Sequence, residues 1–351
     1  MTGVAYARGP RPGEAATDHH EVTAVFMMRF DMRAPDFGAP RAELFAAALE
    51  MASYAEDKGC LSAVICEHHA FEDGYLPSPL ILATAMAART TTLPINVAVA
   101  LLPLCHPIRL AEEMITLDII SGGRVGYILA IGYRPVEYEL YGIDFHRRGQ
   151  IAEEKLGILL KAKTGEPFEQ DGKTVQVTPP PLTPGGPFVA WGGASPAAAR
   201  RAARHGIGFL SQGGDPGLED IYNETSREHG FEPGMCFIPS RDTTTTLFVA
   251  ADVDAAWAEL GPHMLHEVKS YASSNQGDTT TASISFAQTV DELRAENRSH
   301  RIVTPKEAVE LINKGEPLQL HPLTGGIPPE IAWRYLRTVA EDVMPQVGSS
   351  A

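Results

Sequence analysis

The chain has 351 residues, with 29 Lys and Arg against 44 Asp and Glu, a formal net charge of −15. That balance excludes the broad lysine and arginine field that a nucleic-acid or anionic-membrane surface requires. Hydrophobic residues at 44% against 21% charged supply one large core and exclude global disorder.

Residues 1–20 carry Gly, Pro and Ala without a continuous apolar segment and read as a flexible tail, leaving 21–351 as one domain. The text then alternates short apolar runs with stretches of helical period. VTAVFMMRF (22–30) is a strand, and after it Leu44, Ala47, Ala48, Met51, Ala52 and Ala55 recur on one helix face. LSAVICE (61–67), a helix over 80–90, LPINVAVALL (93–102) and a helix carrying Ala111, Met114, Ile115 and Ile119 follow, the last closed by Ser121-Gly122-Gly123. RVGYILAI (124–131) is the fourth strand, and Ala152, Leu156, Leu159 and Leu160 mark the helix behind it. Beyond a Pro/Gly-rich excursion come FVAWGG (188–193), a helix over 195–205, IGFLS (207–211) and a helix near 216–230. DTTTTLFVA (242–250), a helix over 252–272, a polar segment around 275–300, a helix opened by Thr304-Pro305, PLQLHPL (317–323) and a closing helix over 328–344 complete the series.

Eight strand runs, most followed by a helix, predict an α/β fold of the (β/α)8 TIM-barrel type. A doubly wound open sheet is less favoured, because no Gly-x-Gly-x-x-Gly opens the first crossover. The apolar stretch 95–104 is about half of the roughly 20 residues needed to span a bilayer, so no membrane helix is predicted and a cytoplasmic protein is expected. Cys60, Cys66, Cys105 and Cys236 form no C-x-x-C pair and read as reduced thiols.

In a barrel the carboxyl ends of the strands form the mouth, which is where Glu67-His68-His69 falls. Imidazole passes protons near neutral pH, so His68 and His69 are candidates for proton transfer, with a hydrogen-bonded structural role as the equal alternative. Metal ligation is disfavoured, since adjacent side chains diverge and no third ligand stands at a matched spacing. Gly192-Gly193-Ala194-Ser195-Pro196 sits between a strand and an alanine-rich helix. Ser195 suits the N-cap and Pro196 the first helical turn, so the exposed N–H groups there suit a phosphate monoester, although an ordinary capped helix is the commoner case. His106, before Pro107, reads as a capping or packing residue. His321, alone at the end of the last strand, reads as structural.

The segments CEHHAFEDGYLPSPLILATAMAART, VALLPLCHPIRLAEEMITLDIISGGRVGYILAIGYRPVEYELYGIDFHRRG, FVAWGGASPAAARRAARHGIGFL and LHPLTGGIPPE together resemble the bacterial luciferase-like monooxygenase superfamily, over a span from about Val22 to the C-terminus. The resemblance implies a (β/α)8 barrel, usually a homodimer, holding reduced FMN, or alternatively a 5-deazaflavin coenzyme, at the mouth. It implies a non-proline cis peptide at Ala98-Val99 beneath the flavin ring, a role for His68 in proton transfer or oxygen chemistry, and phosphate contacts from Gly193, Ala194 and Ser195. Gly132 and Tyr133 match the end of the family's fourth strand, where Ile131 replaces a common arginine, and Arg147 or Arg148 of DFHRRG is the cation that would compensate. The implied activity is oxygenation of a small organic substrate by reduced FMN and O2. With no dinucleotide fingerprint, a separate NAD(P)H reductase is expected to supply the reduced flavin. The loops at 71–77, 275–300 and 321–327 are expected to set specificity, the middle one as a lid.

Overall fold

The computed structural model describes residues 25–275, 281–282 and 284–347. The expected tail at 1–20 lies outside these residues. The strands are β1 (Phe26–Phe30), β2 (Cys60–Ile65), β3 (Ile95–Leu101), β4 (Val125–Ala130), the hairpin β5 (Phe168–Gln170) and β6 (Lys173–Val175), β7 (Phe188–Gly192), β8 (Gly208–Leu210), β9 (Cys236–Phe237), β10 (Thr246–Val249), β11 (His300–Val303) and β12 (Leu318–Leu320). Between them run helices α1 (Arg41–Ala55), α2 (Pro79–Arg89), α3 (Pro107–Ser121), α4 (Pro135–Leu140), α5 (Arg148–Ala162), α6 (Pro196–Arg204), α7 (Gly217–Glu228), α8 (Val253–Ser274), α9 (Val290–Glu296), α10 (Pro305–Asn313) and α11 (Pro329–Arg337).

Ten strands form one sheet in the order β11-β10-β12-β1-β2-β3-β4-β7-β8-β9, and every pairing in it is parallel. The eight runs predicted from sequence occupy β10-β12-β1-β2-β3-β4-β7-β8. Counted along the chain that is seven, eight, one, two, three, four, five, six, the cyclic order of a (β/α)8 barrel. Besides the separate β5–β6 hairpin, the strands missed in the sequence are β9 and β11, the ends of the sheet, so they lie at the seam between the sixth and seventh barrel strands. Both are short or polar: Cys236–Phe237 has two residues, and β11 reads His-Arg-Ile-Val within a segment otherwise rich in Ser, Thr and Gln. At that seam Gly213 bridges Thr281 and the Ala282 N–H donates to the Gln212 carbonyl at 2.9 Å.

Alternation explains the packing. β1 buries Phe26, Met28 and Phe30 and leaves Met27 and Arg29 half-buried on the opposite face, while α1 buries the six residues its period predicted. β4 is buried at all six positions, as expected of a parallel strand covered on both faces. Helix ends follow the local chemistry. Gly122 takes the left-handed conformation after α3 at φ 67°, Ser195 and Asp252 cap α6 and α8, and Thr304 with Glu307 forms a capping box on α10. His106 stands at the N-cap of α3, but its side chain makes no capping hydrogen bond and is exposed, which corrects the packing role expected of it.

Candidate active site

Four neighbouring strands deliver the predicted residues to their carboxyl ends. β2 runs directly into Glu67-His68-His69, held there because the His68 N–H donates to the Leu76 carbonyl at 3.1 Å and the Leu76 N–H to the Asp31 carbonyl at 2.9 Å. In β3 the Ala98-Val99 peptide is cis, as the resemblance implied, and Val99 steps out of the ladder: Ala98 pairs with Ile128 and Ala100 with Leu129. Ala98 and Val99 are both half-buried within a strand whose other residues are buried. β4 leads through Ile131 into Gly132, at φ 73°, and Tyr133, whose hydroxyl burial pushes up to about 12. β7 ends in Gly192, where a Cβ would lie 3.2 Å from Val99 Cγ1 and 3.1 Å from Ile128 Cγ2. A side chain at Gly192 would press on both methyl groups, so glycine leaves the ends of these strands free to sit close.

Beyond Gly192, Gly193 adopts φ 145° and a Cβ there would sit 2.9 Å from the Ala198 Cβ. Ala194 is half-buried and Ser195 exposed, and Ser195 Oγ accepts the Ala198 N–H at 3.2 Å. Arg148, and not Arg147, turns inward. Its guanidinium lies 3.9 Å from the centre of the Phe145 ring and donates to the Phe145 carbonyl at 3.0 Å, and its buried Nε has no hydrogen-bond partner. Phe145 and Val99 pack on the same small cluster of Leu101, Leu104 and Tyr138, so Arg148 and the cis strand border one region. A glycine cradle and an N-cap hydroxyl at the start of α6 are the kind of groups a phosphate monoester fits.

His68 is enclosed by rings: Tyr75 at 4.9 Å, Phe71 and Tyr133 each at 5.5 Å and Tyr271 at 6.2 Å between centroids. Its Nδ1 lies 2.8 Å from Glu137 Oε1, an acid wholly buried on α4 that the sequence analysis missed. Burial opposes ionisation of Glu137, but hydrogen bonds from His68 and the His69 N–H, with the charge of Arg134, outweigh it and hold the carboxyl below its usual range. His69 points elsewhere, with Nε2 2.9 Å from Glu67 Oε1, while Glu67 Oε2 accepts the Leu101 N–H at 2.9 Å. The two adjacent imidazoles therefore diverge, as the spacing predicted.

The helix predicted over 252–272 is α8, and what the sequence did not show is its place, with its second half against the carboxyl ends of β1, β2 and β12. Tyr271 and Tyr75 share a hydroxyl hydrogen bond at 2.8 Å, Ser270 accepts from Arg33 at 2.7 Å, and His266 Nε2 meets Asp73 Oδ2 at 2.8 Å. Glu267 pairs with Arg29 and accepts from Thr324 at 2.9 Å, while His300 Nε2 lies 3.0 Å from its Oε2. His321 is fully buried between Asp31 and Glu267, which agrees with the structural role read from the sequence. Asp31, Glu267 and His321 offer atoms within 4.8 Å of one another, a spacing a metal ion accepts. Arg29, however, already supplies a positive charge between Glu267 and His321, its Nη2 lying 3.1 Å from His321 Nδ1. Burial opposes ionisation of Glu267 and Asp31, but Arg29 and His321 for the first, and His321 and Arg33 for the second, hold both carboxyls below their usual range. Burial and Arg29 push His321 down, yet Asp31 and Glu267 prevail and hold it above the ordinary imidazole value.

A parallel barrel order, with an imidazole and a capped glycine turn at the strands' carboxyl ends, defines the class of α/β barrels that act through their mouths. A family model described as luciferase-like monooxygenase matches residues 28–313, and the chain belongs to that family. An uncharacterized protein of Sinorhizobium fredii, y4vJ, is 32% identical over 131 residues, covering 37% of each chain. The alkanal monooxygenase alpha chain of Photorhabdus luminescens is 25% identical over 194 residues, 52% of this chain and 54% of that one. The chain thus spans between about a third and a half of the length of these curated relatives. Among solved structures, the monooxygenase RslO1 of Streptomyces bottropensis superposes with a TM-score of 0.72 at 23% identity, covering 92% of this chain and 99% of that one. The oxygenating constituent of 3,6-diketocamphane monooxygenase of Pseudomonas putida, solved in complex with FMN, gives 0.64 at 20% identity, covering 93% and 99%. These two likenesses concern the fold. No helix among the described residues is long and apolar enough to cross a membrane.

Proposed function

We propose that the chain is a flavin-dependent monooxygenase that uses reduced FMN and O2 to oxygenate a small organic substrate, the reduced flavin coming from a separate NAD(P)H reductase. The observation that carries this reading is that, among four consecutive strands of a luciferase-like barrel, β2 ends in a buried carboxylate-held imidazole and β7 in a glycine-walled, N-capped helix start. Bound reduced FMN would supply the electrons that activate O2. The chain's own residues do the rest. Gly193, Ala194, Ser195 and Arg148 bind the phosphate, and Ala98, Val99, Gly132 and Tyr133 border the ring. The aromatic wall of Phe71, Tyr75 and Tyr271 keeps bulk water from His68. Glu137 below its usual range only accepts hydrogen bonds, so His68 donates to it through Nδ1–H and its Nε2 stands at the far edge of the ring.

The working form in this reading is a cytoplasmic homodimer. Ile81 is 73% exposed, and Ile81, Ile120 and Tyr141 flank a groove of about 460 Å³ between α2 and α3, lined also by Arg109, Glu112 and Glu113, that offers a mixed surface for a second copy.

The test mixes the protein with reduced FMN and then with O2. FMN fluorescence should be quenched on binding, reoxidation of the bound flavin should depart from that of free flavin, and His68→Ala should change that rate about tenfold or more while FMN affinity stays within about twofold. Turnover of a reduced 5-deazaflavin without O2 would make the chain a hydride-transfer enzyme instead. Binding with no effect of His68→Ala would make it a non-catalytic flavin binder, and association of neither coenzyme would overturn the reading.

A further inference from the structure

Resting on that reading, we propose that Glu137 is the positioning residue for His68, fixing its tautomer and the direction in which its reactive nitrogen points. α4 is six residues long, follows directly on Gly132-Tyr133-Arg134, and carries Glu137 into a site with no solvent exposure. Taking a carboxylate out of water costs several kcal/mol unless partners compensate. Here the compensation comes from the His68 ring, the His69 N–H at 3.0 Å and Arg134 Nη1 at 3.4 Å, all on one oxygen. The other oxygen, Oε2, is buried without a hydrogen-bond partner on the Gly132 side, where a Cβ on Gly132 would lie 3.7 Å from it.

This arrangement does more than anchor a helix. The Glu67 carboxylate ties the Glu67-His68-His69 turn to β3 through the Leu101 N–H and holds the His69 ring, and Glu137 holds the same turn through the His69 N–H. Beyond that, Glu137 supplies a fixed acceptor at His68 Nδ1. The remaining groups around the ring come from every neighbouring element. Tyr75 and Phe71 follow β2, Tyr133 follows β4, and Tyr271 lies on α8. Arg33 stacks 4.4 Å from both the Phe71 and Tyr75 centroids, and Arg134 lies 3.6 Å from the Phe71 centroid. Phenol hydroxyls and guanidinium groups do not replace a carboxylate as a forced acceptor, because a hydroxyl turns to donate or accept and a guanidinium only donates. Partners of this kind act through the residue they orient, with effects of roughly 10- to 100-fold in the comparable case of histidines bound to metals.

The test uses the full chain labelled with 15N-histidine. In the unmodified protein without flavin, His68 should show the Nδ1-protonated tautomer, and Glu137→Gln, which keeps the shape and removes the charge, should populate the other. With FMN as the probe, Glu137→Gln should move the reoxidation rate of bound reduced flavin about tenfold, most of the way to the His68→Ala value. The double variant should match His68→Ala alone, because the two residues act as a unit. FMN affinity should stay within about twofold, and Glu137→Asp should recover part of the rate. An Nε2-protonated His68 in the unmodified protein would overturn the proposal, a result that needs no variant to fold. So would an unchanged tautomer in Glu137→Gln, or additive losses in the double variant. If the protein binds no FMN, the flavin reading fails, while the tautomer measurement still decides the role of Glu137.

Discussion

At the residue scale, the start of α6 depends on two small residues, Gly193 and Ser195, with separable effects. Ser195 Oγ accepts the Ala198 N–H, which it shares with the Ser195 carbonyl at 2.9 Å, so Ser195→Ala should cost about 1 kcal/mol or less in urea unfolding. Gly193 at φ 145°, with the Ala198 Cβ in the way of any side chain, should tolerate alanine less well, losing about 1–3 kcal/mol through strain. Both variants should also weaken FMN binding several-fold if the turn grips a phosphate. Equal FMN affinity in all three proteins would remove the turn from the site. Ser195 and Gly193 were legible in the sequence because capping and glycine chemistry act within four residues. Glu137 was not, since its partner stands 69 positions earlier and nothing in PVEYEL distinguishes a buried acid from an exposed one.

At the element scale, α8 differs most from its sequence reading, which set its limits well but not its task. Its Glu267 joins Arg29, Thr246, His300, His321 and Thr324, contributed by three strands and the turn after β12. Glu267→Ala leaves Arg29 without its anion and His321 with Asp31 alone, and should cost about 3 kcal/mol or more, read by denaturant unfolding. The same network predicts a pH dependence. Asp31 and Glu267 are held below their ordinary values, so their contribution is complete above the usual carboxylate range, near pH 4, and is lost as pH falls through the folded-state values. His321 is held above its ordinary value, so its contribution is complete below about pH 6.5 and is lost as pH rises through the raised value. Thermal unfolding should therefore show a maximum between these limits. Glu267→Gln should shift the alkaline fall to lower pH by removing one anion from His321, and superimposable profiles for the two proteins would refute the linkage.

At the scale of the whole molecule, the dimer proposal predicts that Ile81→Asp, a charge at the most exposed of the large apolar side chains, converts a dimer to a monomer in light scattering with little change in thermal unfolding. A protein that is monomeric before the substitution would end the proposal. The sequence alone determined the eight strand runs, most of the helices between them and the caps that bound several of these, because periodicity, proline and glycine act over a few neighbouring residues. It also brought out His68, the cis position at Ala98-Val99 and the turn at 193–195, through local chemistry and family resemblance. Only the tertiary structure decided that β9 and β11 join the sheet at the barrel seam, that Arg148 rather than Arg147 turns inward, and that Glu137 and α8 hold the mouth. Short strands carry too few residues to display a period, and an ion pair between distant segments leaves no local mark. Such contacts exist only once the sheet has brought its strand ends together.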